Sequence, residues 1–170
     1  MTHTHEDVAC AMAHGQLPAP TGDRQLVAVF ASPVALQLVH LAAHVGFECV
    51  VLDPVQDLDG TTTVRTADEA GIDERTDVVV TDHDRPELGD VLTEVLRTPA
   101  RWVGVMGSPR HTAPHVAALA ERGVAPDQVA RVHRPIGLDI GSKSPAEIAV
   151  STVAGLLADR NGRSGGTYRA

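Results

Sequence analysis

Short apolar runs that alternate with segments of helical periodicity constrain this chain more than any other feature of its sequence. Residues 26–30 (LVAVF) are apolar throughout, as expected of a strand buried on both faces. The pattern predicts strands at residues 26–30, 48–52, 77–81 and 102–106, with a short edge strand at 62–64. Helices are predicted at residues 33–45, 86–97, 111–122, 126–132 and 145–159. This alternation predicts an α/β fold, a three-layer doubly wound parallel sheet of Rossmann-like type.

Capping residues mark the starts of two of these helices. Ser32 precedes Pro33, and a serine followed by proline at the first helical position is a favourable helix start. Ser144 is followed by Pro145 and, at the third helical position, Glu147. A serine and a glutamate at this spacing predict a capping box, in which each side chain binds a backbone amide of the other residue.

Length and composition limit the possible functions. The 170 residues suit one domain, which we place at residues 24–160, after a flexible or short helical arm (1–23) and before a disordered tail (161–170). Aromatic residues make up 2% of the chain and the net charge is −8, which argues against binding of nucleic acid or an anionic membrane. No signal peptide, membrane span or zinc-spaced Cys/His pair is evident, so we expect a cytoplasmic protein without a metal site.

The turn after the first strand departs from the dinucleotide-binding pattern. Ligands of doubly wound sheets bind at the carboxyl ends of the strands, often on a G-x-G-x-x-G/A turn. Here that turn reads Phe30, Ala31, Ser32, Pro33, Val34, Ala35, and only the last residue fits. The serine side chain crowds a phosphate, although its hydroxyl can also bind one. We therefore name Ala31, Ser32 and Pro33 as cofactor-binding candidates, while NAD(P) is the less favoured cofactor.

Polar residues also follow the next two main strands. Asp53 lies about 20 residues past the first turn, the usual place of an acid that binds ribose hydroxyls; the alternative is a turn residue before Pro54. Thr81 and His83 belong to the run TDHD. An imidazole between carboxylates can serve as a base or a metal ligand. We favour a polar loop that faces a ligand, with helix capping as the alternative.

Two glycine-containing loops complete the candidate site. Gly107, Ser108, Pro109 and Arg110 follow a strand. The glycine permits an unusual turn, the serine and backbone amides can hold an anion, and the arginine can bind phosphate in a bidentate manner; a capped helix start with a solvated arginine is the alternative. Asp139 lies in the loop IGLDIG, where it either faces the crevice or holds the loop in shape.

Three of these stretches resemble sequences of the XdhC/CoxI family. Residues 101–110 (RWVGVMGSPR) resemble the family pattern of an aromatic residue, V-G, two apolar residues and G-S-x-R. Residues 131–149 resemble its block H-x-P-I-G-L-D-I-G-x-x-(S/T)-P-x-E-I-A, and residues 81–84 resemble its T-H-D loop with an extra acid. The resemblance covers residues 25–160. The family's G-A-G turn is absent, and only a short segment stands where longer members carry a separate N-terminal domain.

The resemblance implies an accessory factor that matures molybdenum hydroxylases such as xanthine dehydrogenase and carbon monoxide dehydrogenase. The implied ligand is the molybdenum cofactor, a phosphorylated pterin that sometimes carries a nucleotide, or else a nucleotide itself. The implied partner is a molybdenum hydroxylase apoenzyme, and homodimerisation is a further option. We assign no catalytic residue, because no nucleophile–base pair is evident. The alternatives are an NAD(P)-binding oxidoreductase and a degenerate Rossmann domain that binds another protein without a nucleotide.

Overall fold

The computed structural model describes residues 11–14, 23–108 and 112–166. After one helical turn at residues 11–13, the domain alternates strands and helices. Its elements are β1 (Arg24–Val29), α1 (Pro33–His44), β2 (Phe47–Leu52), β3 (Thr63–Val64), β4 (Thr76–Val80), α2 (Leu88–Leu96), β5 (Trp102–Val105), α3 (Pro114–Glu121), α4 (Pro126–Val129), β6 (Val132–His133) and α5 (Pro145–Arg160).

Within the described residues, six strands form one sheet in which every pairing is parallel. Their order is β3-β2-β1-β4-β5-β6, and Val29 at the end of β1 aligns with Leu52 of β2 and Val80 of β4. The chain moves from β1 outward to β3 and then crosses to the other side for β4, β5 and β6. The strand order therefore switches between β1 and β4, and a crevice at the carboxyl ends of these strands is the expected ligand site.

Helices cover both faces of the sheet, which confirms the predicted α/β fold. Val27 and Val29 of β1 pack in one apolar cluster with residues of α2 and α3. Leu26 and Ala28 pack in a second cluster with residues of α1 and α5. The side chains of these four β1 residues are completely buried, because successive residues of a strand point to opposite faces and both faces are covered.

The caps predicted for α1 and α5 are present. The Ser32 hydroxyl accepts a hydrogen bond from the Ala35 amide at 3.0 Å. In α5 the Ser144 hydroxyl accepts from the Glu147 amide at 3.3 Å, and a Glu147 carboxylate oxygen accepts from the Ser144 amide at 3.0 Å. Each cap satisfies amides that the first turn of a helix leaves without partners.

Three predicted helices begin or end two or more residues away from their positions in the structure, and one of them, predicted from residue 86, begins at Leu88. The helix predicted at 126–132 ends at Val129, and Val132 and His133 form the edge strand β6 beside Val103 and Gly104. A two-residue strand has no sequence period, and only its hydrogen bonds to a distant strand define it. Residues 112 and 113 lie outside helix α3, which begins at Pro114, since proline favours the first helical position. Residue 111 lies outside the described residues.

A group of ion pairs joins β1, β4, β5 and α5 at the amino edge of the sheet. The Asp77 carboxylate is fully buried and contacts Arg24 Nη2 at 2.6 Å, and it accepts from Arg101 Nε at 2.8 Å. Asp159, about half exposed, contacts Nη2 of Arg24 at 3.1 Å and of Arg101 at 2.8 Å. Since a buried carboxylate needs compensating charge, these arginines make the burial of Asp77 possible.

Across the described parts of the chain, the helices are too short or too polar to cross a membrane.

Candidate functional site

The loops after β1 and β4 meet at the switch in strand order. The Ser32 and Thr81 hydroxyls lie 2.9 Å apart and form a hydrogen bond. Thr81 Oγ1 also lies 3.0 Å from the Val29 carbonyl oxygen and 2.9 Å from that of Phe30. One threonine proton serves these two carbonyl groups, so the Ser32 hydroxyl can donate to Thr81. Two predicted site residues, separated by 49 positions, therefore share one contact.

Phe30 occupies the first glycine position of the dinucleotide-binding pattern and keeps the backbone form of a glycine there. Its φ is +73°, a left-handed conformation that costs a residue with a side chain about 1–2 kcal/mol. The ring is completely buried, and the Arg85 guanidinium lies 4.9 Å from its centroid. Burial of the ring and the cation–π contact stabilise this turn.

Asp53 holds the same turn through its carboxylate, which is fully buried. Oδ2 accepts from the Ala31 amide at 2.8 Å and from Arg85 Nη1 at 3.1 Å. Oδ1 accepts from the amides of Val55 at 2.9 Å and Gln56 at 3.1 Å. Burial acts to raise the pKa of Asp53, but these amide and guanidinium donors outweigh it and hold the pKa below its usual value. A ribose hydroxyl would have to compete with these hydrogen bonds.

His83 lies in a loop that its neighbours shape. Asp82 Oδ1 accepts from the Asp84 amide at 3.0 Å, a turn typical of aspartate. His83 Nε2 lies 3.7 Å from Asp84 Oδ1, and the Asp84 side chain is 86% exposed. The contact is solvated, and the described residues contain no group of three metal-ligating side chains. The loop therefore presents a polar surface beside the crevice.

A second polar cluster lies at the carboxyl end of β5. Gly107 has a φ of +154°, and a Cβ there would lie 2.5 Å from Arg134 Nη2. Arg134 Nη2 donates to the Ser108 carbonyl at 3.2 Å. His115, in the first turn of α3, is 4% exposed. Burial lowers the pKa of its imidazole, and Arg134 lowers it further. Arg110, the remaining predicted residue here, lies outside the described residues.

The polar loop that follows β4 and the polar cluster at the carboxyl end of β5 lie side by side. The Met106 amide, just before Gly107, donates to the Val80 carbonyl, just before Thr81, at 2.9 Å. Parallel pairing therefore places the Gly107–Ser108 turn one strand across from the Ser32–Thr81 contact. Ala31, Ser32, Asp53, Thr81, Gly107 and Ser108 all lie along one edge of the sheet.

Comparison with known proteins identifies the family. The model of the XdhC Rossmann domain matches residues 26–156. This chain belongs to the XdhC Rossmann domain family. Uncharacterized protein YqeB of Escherichia coli (strain K12) is 30% identical over 164 residues, which are 90% of this chain and 29% of that protein. A crystal structure of a xanthine dehydrogenase from Bacillus halodurans is 26% identical, with a TM-score of 0.62 over 85% of this chain and 45% of that one. This XdhC domain thus spans less than half of either relative.

The IGLDIG loop of this XdhC domain is fastened to helix α5. Gly137 has a φ of +84°, and a Cβ there would lie 2.5 Å from Ser151 Oγ and 3.2 Å from helix backbone atoms. The Leu138 amide donates to the Ser151 carbonyl at 3.1 Å, and the Ser151 hydroxyl donates to the Leu138 carbonyl at 2.6 Å. Asp139 is exposed in this loop. Gly137 therefore permits close packing, whereas a ligand role for Asp139 stays a prediction.

A cavity of about 250 Å³ lies between α5 and the outer strands β5 and β6 of the XdhC domain. Trp102 and His133 stack in its wall, with ring centroids 5.5 Å apart. Arg101 and Asp159 of the amino-edge ion pairs also line it. The cavity thus lies next to the amino-edge ion pairs and also contacts Ile136 and Gly137 of the IGLDIG loop.

Sequence reasoning did not find three charged or titratable residues of this edge, namely Arg85, His115 and Arg134. Arg85 directly follows the acidic run 82–84, and that adjacency was the one available signal. His115 and Arg134 lie in separate segments 19 positions apart, and no spacing rule connects them. The fold brings both beside the end of β5.

Proposed function

We propose that this XdhC domain is the cofactor-binding part of an accessory factor for maturation of molybdenum hydroxylases. Its cargo would be the molybdenum cofactor, bound through the phosphorylated pterin, and its partner a molybdenum hydroxylase apoenzyme. Family membership supports the accessory role. The observation that carries the assignment of the site is the Ser32–Thr81 contact at 2.9 Å, since it locates polar loops at the switch point where this class of fold binds ligands.

The residues of the edge suit a phosphorylated, polar cargo. The chain has a net charge of −8, yet Arg85 and Arg134 both lie at this edge and the start of α3 faces it. Positive groups and helix amides stabilise a phosphate. Asp53, by contrast, is engaged with Ala31 and Arg85, and this arrangement favours a pterin phosphate over a dinucleotide.

An anaerobic binding experiment tests the proposal. Purified protein is mixed with molybdenum cofactor released from a molybdoenzyme and passed over a desalting column, and the pterin that stays with the protein is measured by fluorescence after oxidation. We expect retention of pterin and, on addition of a molybdenum hydroxylase apoenzyme, recovery of that enzyme's activity. Heat-denatured protein and an unrelated Rossmann domain are the controls.

The other outcomes separate the alternatives. Saturable binding of NAD or NADP without retention of pterin would contradict the proposal and favour an oxidoreductase. Binding of the apoenzyme without any cofactor would favour a degenerate interaction domain. Homodimerisation stays a prediction, which light scattering coupled to size-exclusion chromatography checks.

A further inference from the structure

We propose that His115, Arg134 and the Gly107–Ser108 backbone form a subsite for a phosphate group at the carboxyl end of β5. This inference rests on the proposed function only for the identity of the molecule that carries the phosphate. The subsite itself is argued from the burial, charge and contacts of these four residues.

The buried imidazole of His115 is the first observation. The residue is 4% exposed, and within the described parts of the chain its Nδ1 atom has no hydrogen-bond partner. Buried polar groups in folded proteins nearly always have a partner, because an unsatisfied one costs about 1–3 kcal/mol. A bound phosphate oxygen would supply the acceptor that an Nδ1–H group requires.

The start of helix α3 supplies the second feature. Pro114 is the first helical residue, His115 the second, and no side chain caps the helix at Ala113. The first amides of a helix carry partial positive charge, which favours an anion; in α3 Pro114 has no amide and the Val116 amide donates to the Ala113 carbonyl at 3.1 Å, so the His115 amide is the one that can bind an anion. The imidazole and the backbone amide of His115 therefore belong to one residue of this turn.

Arg134 supplies the charge. Its guanidinium lies against Gly107, where a Cβ would approach Nη2 to 2.5 Å, and Nη2 donates to the Ser108 carbonyl at 3.2 Å. A guanidinium carries five N–H donors, so the hydrogen bond to the Ser108 carbonyl is compatible with binding of an anion. Burial lowers the pKa of His115, and the positive charge of the nearby Arg134 lowers it further.

A phosphate fits this combination better than a carboxylate or a neutral ligand. Its tetrahedral oxygens can accept from a guanidinium, an imidazole and backbone amides that approach from different directions, whereas a carboxylate accepts in one plane. Gly107 keeps the strand end free of a side chain, and the Arg134 guanidinium occupies that space.

Nuclear magnetic resonance of the wild-type protein tests the subsite directly. Protein labelled with ¹⁵N-histidine is titrated with inorganic phosphate at constant pH and ionic strength, and the imidazole signals are followed. We expect the His115 signals to shift saturably, while those of the exposed His40 do not. Sulfate should compete with phosphate, and acetate should compete poorly. Unchanged His115 signals at saturating phosphate would overturn the inference.

Two matched variants test whether the positive charge of Arg134 binds the phosphate. Arg134→Gln should weaken phosphate binding about tenfold or more, since a hydrogen bond to a charged group contributes that much. Arg97→Gln, which removes the same charge at an exposed position, should leave the affinity unchanged. Equal affinities of the two variants would contradict the proposal. Circular dichroism verifies folding of each variant, and the wild-type titration decides the question independently if Arg134→Gln does not fold.

The cargo experiment separates this inference from the proposed function. If phosphate shifts His115 but no pterin is retained by the wild type, the subsite stands and the proposed function fails. If phosphate leaves the His115 signals unchanged while the wild type retains pterin, the subsite fails and the proposed function stands. Displacement of bound phosphate by AMP or CMP, but not by the molybdenum cofactor, would assign the subsite to a nucleotide. The pterin would then not be the molecule that carries the phosphate.

Discussion

At the scale of single residues, buried carboxylates organise both edges of the sheet. Asp77 at the amino edge is paired with two arginines, and Asp53 at the carboxyl edge accepts from three amides and Arg85. Both carboxylates lack exposure, but their partners differ in kind. Asp77 compensates the positive charges of Arg24 and Arg101. Asp53 instead fixes the shape of the turn that other Rossmann domains leave open for a phosphate.

Asp77→Asn should destabilise the domain by about 3 kcal/mol, because it leaves the guanidinium groups of Arg24 and Arg101 with only the half-exposed Asp159 as counter-charge. Urea unfolding followed by circular dichroism measures the change. The matched control is Asp57→Asn, whose carboxylate pairs with Arg65 at 2.6 Å but is 71% exposed. That change should cost less than about 1 kcal/mol. Similar losses for both variants would contradict the role given to Asp77.

Asp53→Asn should alter how stability depends on pH. The pKa of Asp53 in the folded protein is lowered, so its stabilising contribution is complete above the unfolded pKa of about 3.9 and is lost as the pH falls through the lower folded value. The variant should therefore be less stable than the wild type at pH 7 by about 2 kcal/mol, with the two curves converging in acid. Urea midpoints measured between neutral and acidic pH check this. Asp84→Asn, at a solvated position of the same edge, should leave the wild-type curve unchanged.

At the scale of elements, the sequence predicted most of the secondary structure through two kinds of signal. Apolar runs identified β1, β2, β4 and β5, and capping residues identified the starts of α1 and α5. Strand β6 carried neither signal, since one of its two residues is exposed and only pairing with β5 defines it. The candidate site likewise contains residues that a sequence signal identified and residues that no signal identified. Ser32 and Thr81 followed from the position of strand ends, whereas Arg85, His115 and Arg134 depend on side-chain directions that the spacing of residues does not encode.

Helix α5 should depend on Gly137 far more than on Gly141. Both glycines have positive φ, +84° and +69°, so alanine at either position costs about 1–2 kcal/mol in backbone strain. A Cβ at Gly141 meets nothing within 4 Å, whereas one at Gly137 would meet Ser151 and the helix backbone. Gly137→Ala should therefore lower stability by about 2 kcal/mol more than Gly141→Ala. Equal thermal unfolding midpoints would show that the close approach of loop and helix has no energetic role.

At the scale of the whole molecule, one sheet carries a charge-paired amino edge and a polar carboxyl edge. The internal hydrogen bonds of the first turn occupy groups that a dinucleotide would need. Ligands that bind only the folded state raise its stability, by about 2.7 kcal/mol at a concentration of 100 Kd. Thermal unfolding of the intact domain therefore reports on which ligand the edge accepts.

The unfolding midpoint should stay constant on addition of NAD or NADP and rise on addition of molybdenum cofactor under anaerobic conditions. The physical reason is that Ala31 and Asp53 already bind each other at 2.8 Å. Differential scanning fluorimetry makes the measurement, and an established NAD-binding Rossmann domain serves as the positive control. An increase with NAD that matches this control would show that the first turn opens for a dinucleotide.

The outermost strands, β3 and β6, pair over two residues each. Such short edge strands offer a neighbouring polypeptide very few backbone donors and acceptors, which protects the sheet from the addition of a further strand. Any lasting association of this domain should accordingly be built from side chains on helices and loops. Substitutions that disturb such an association are then to be sought on the helical faces, away from the rims of the sheet.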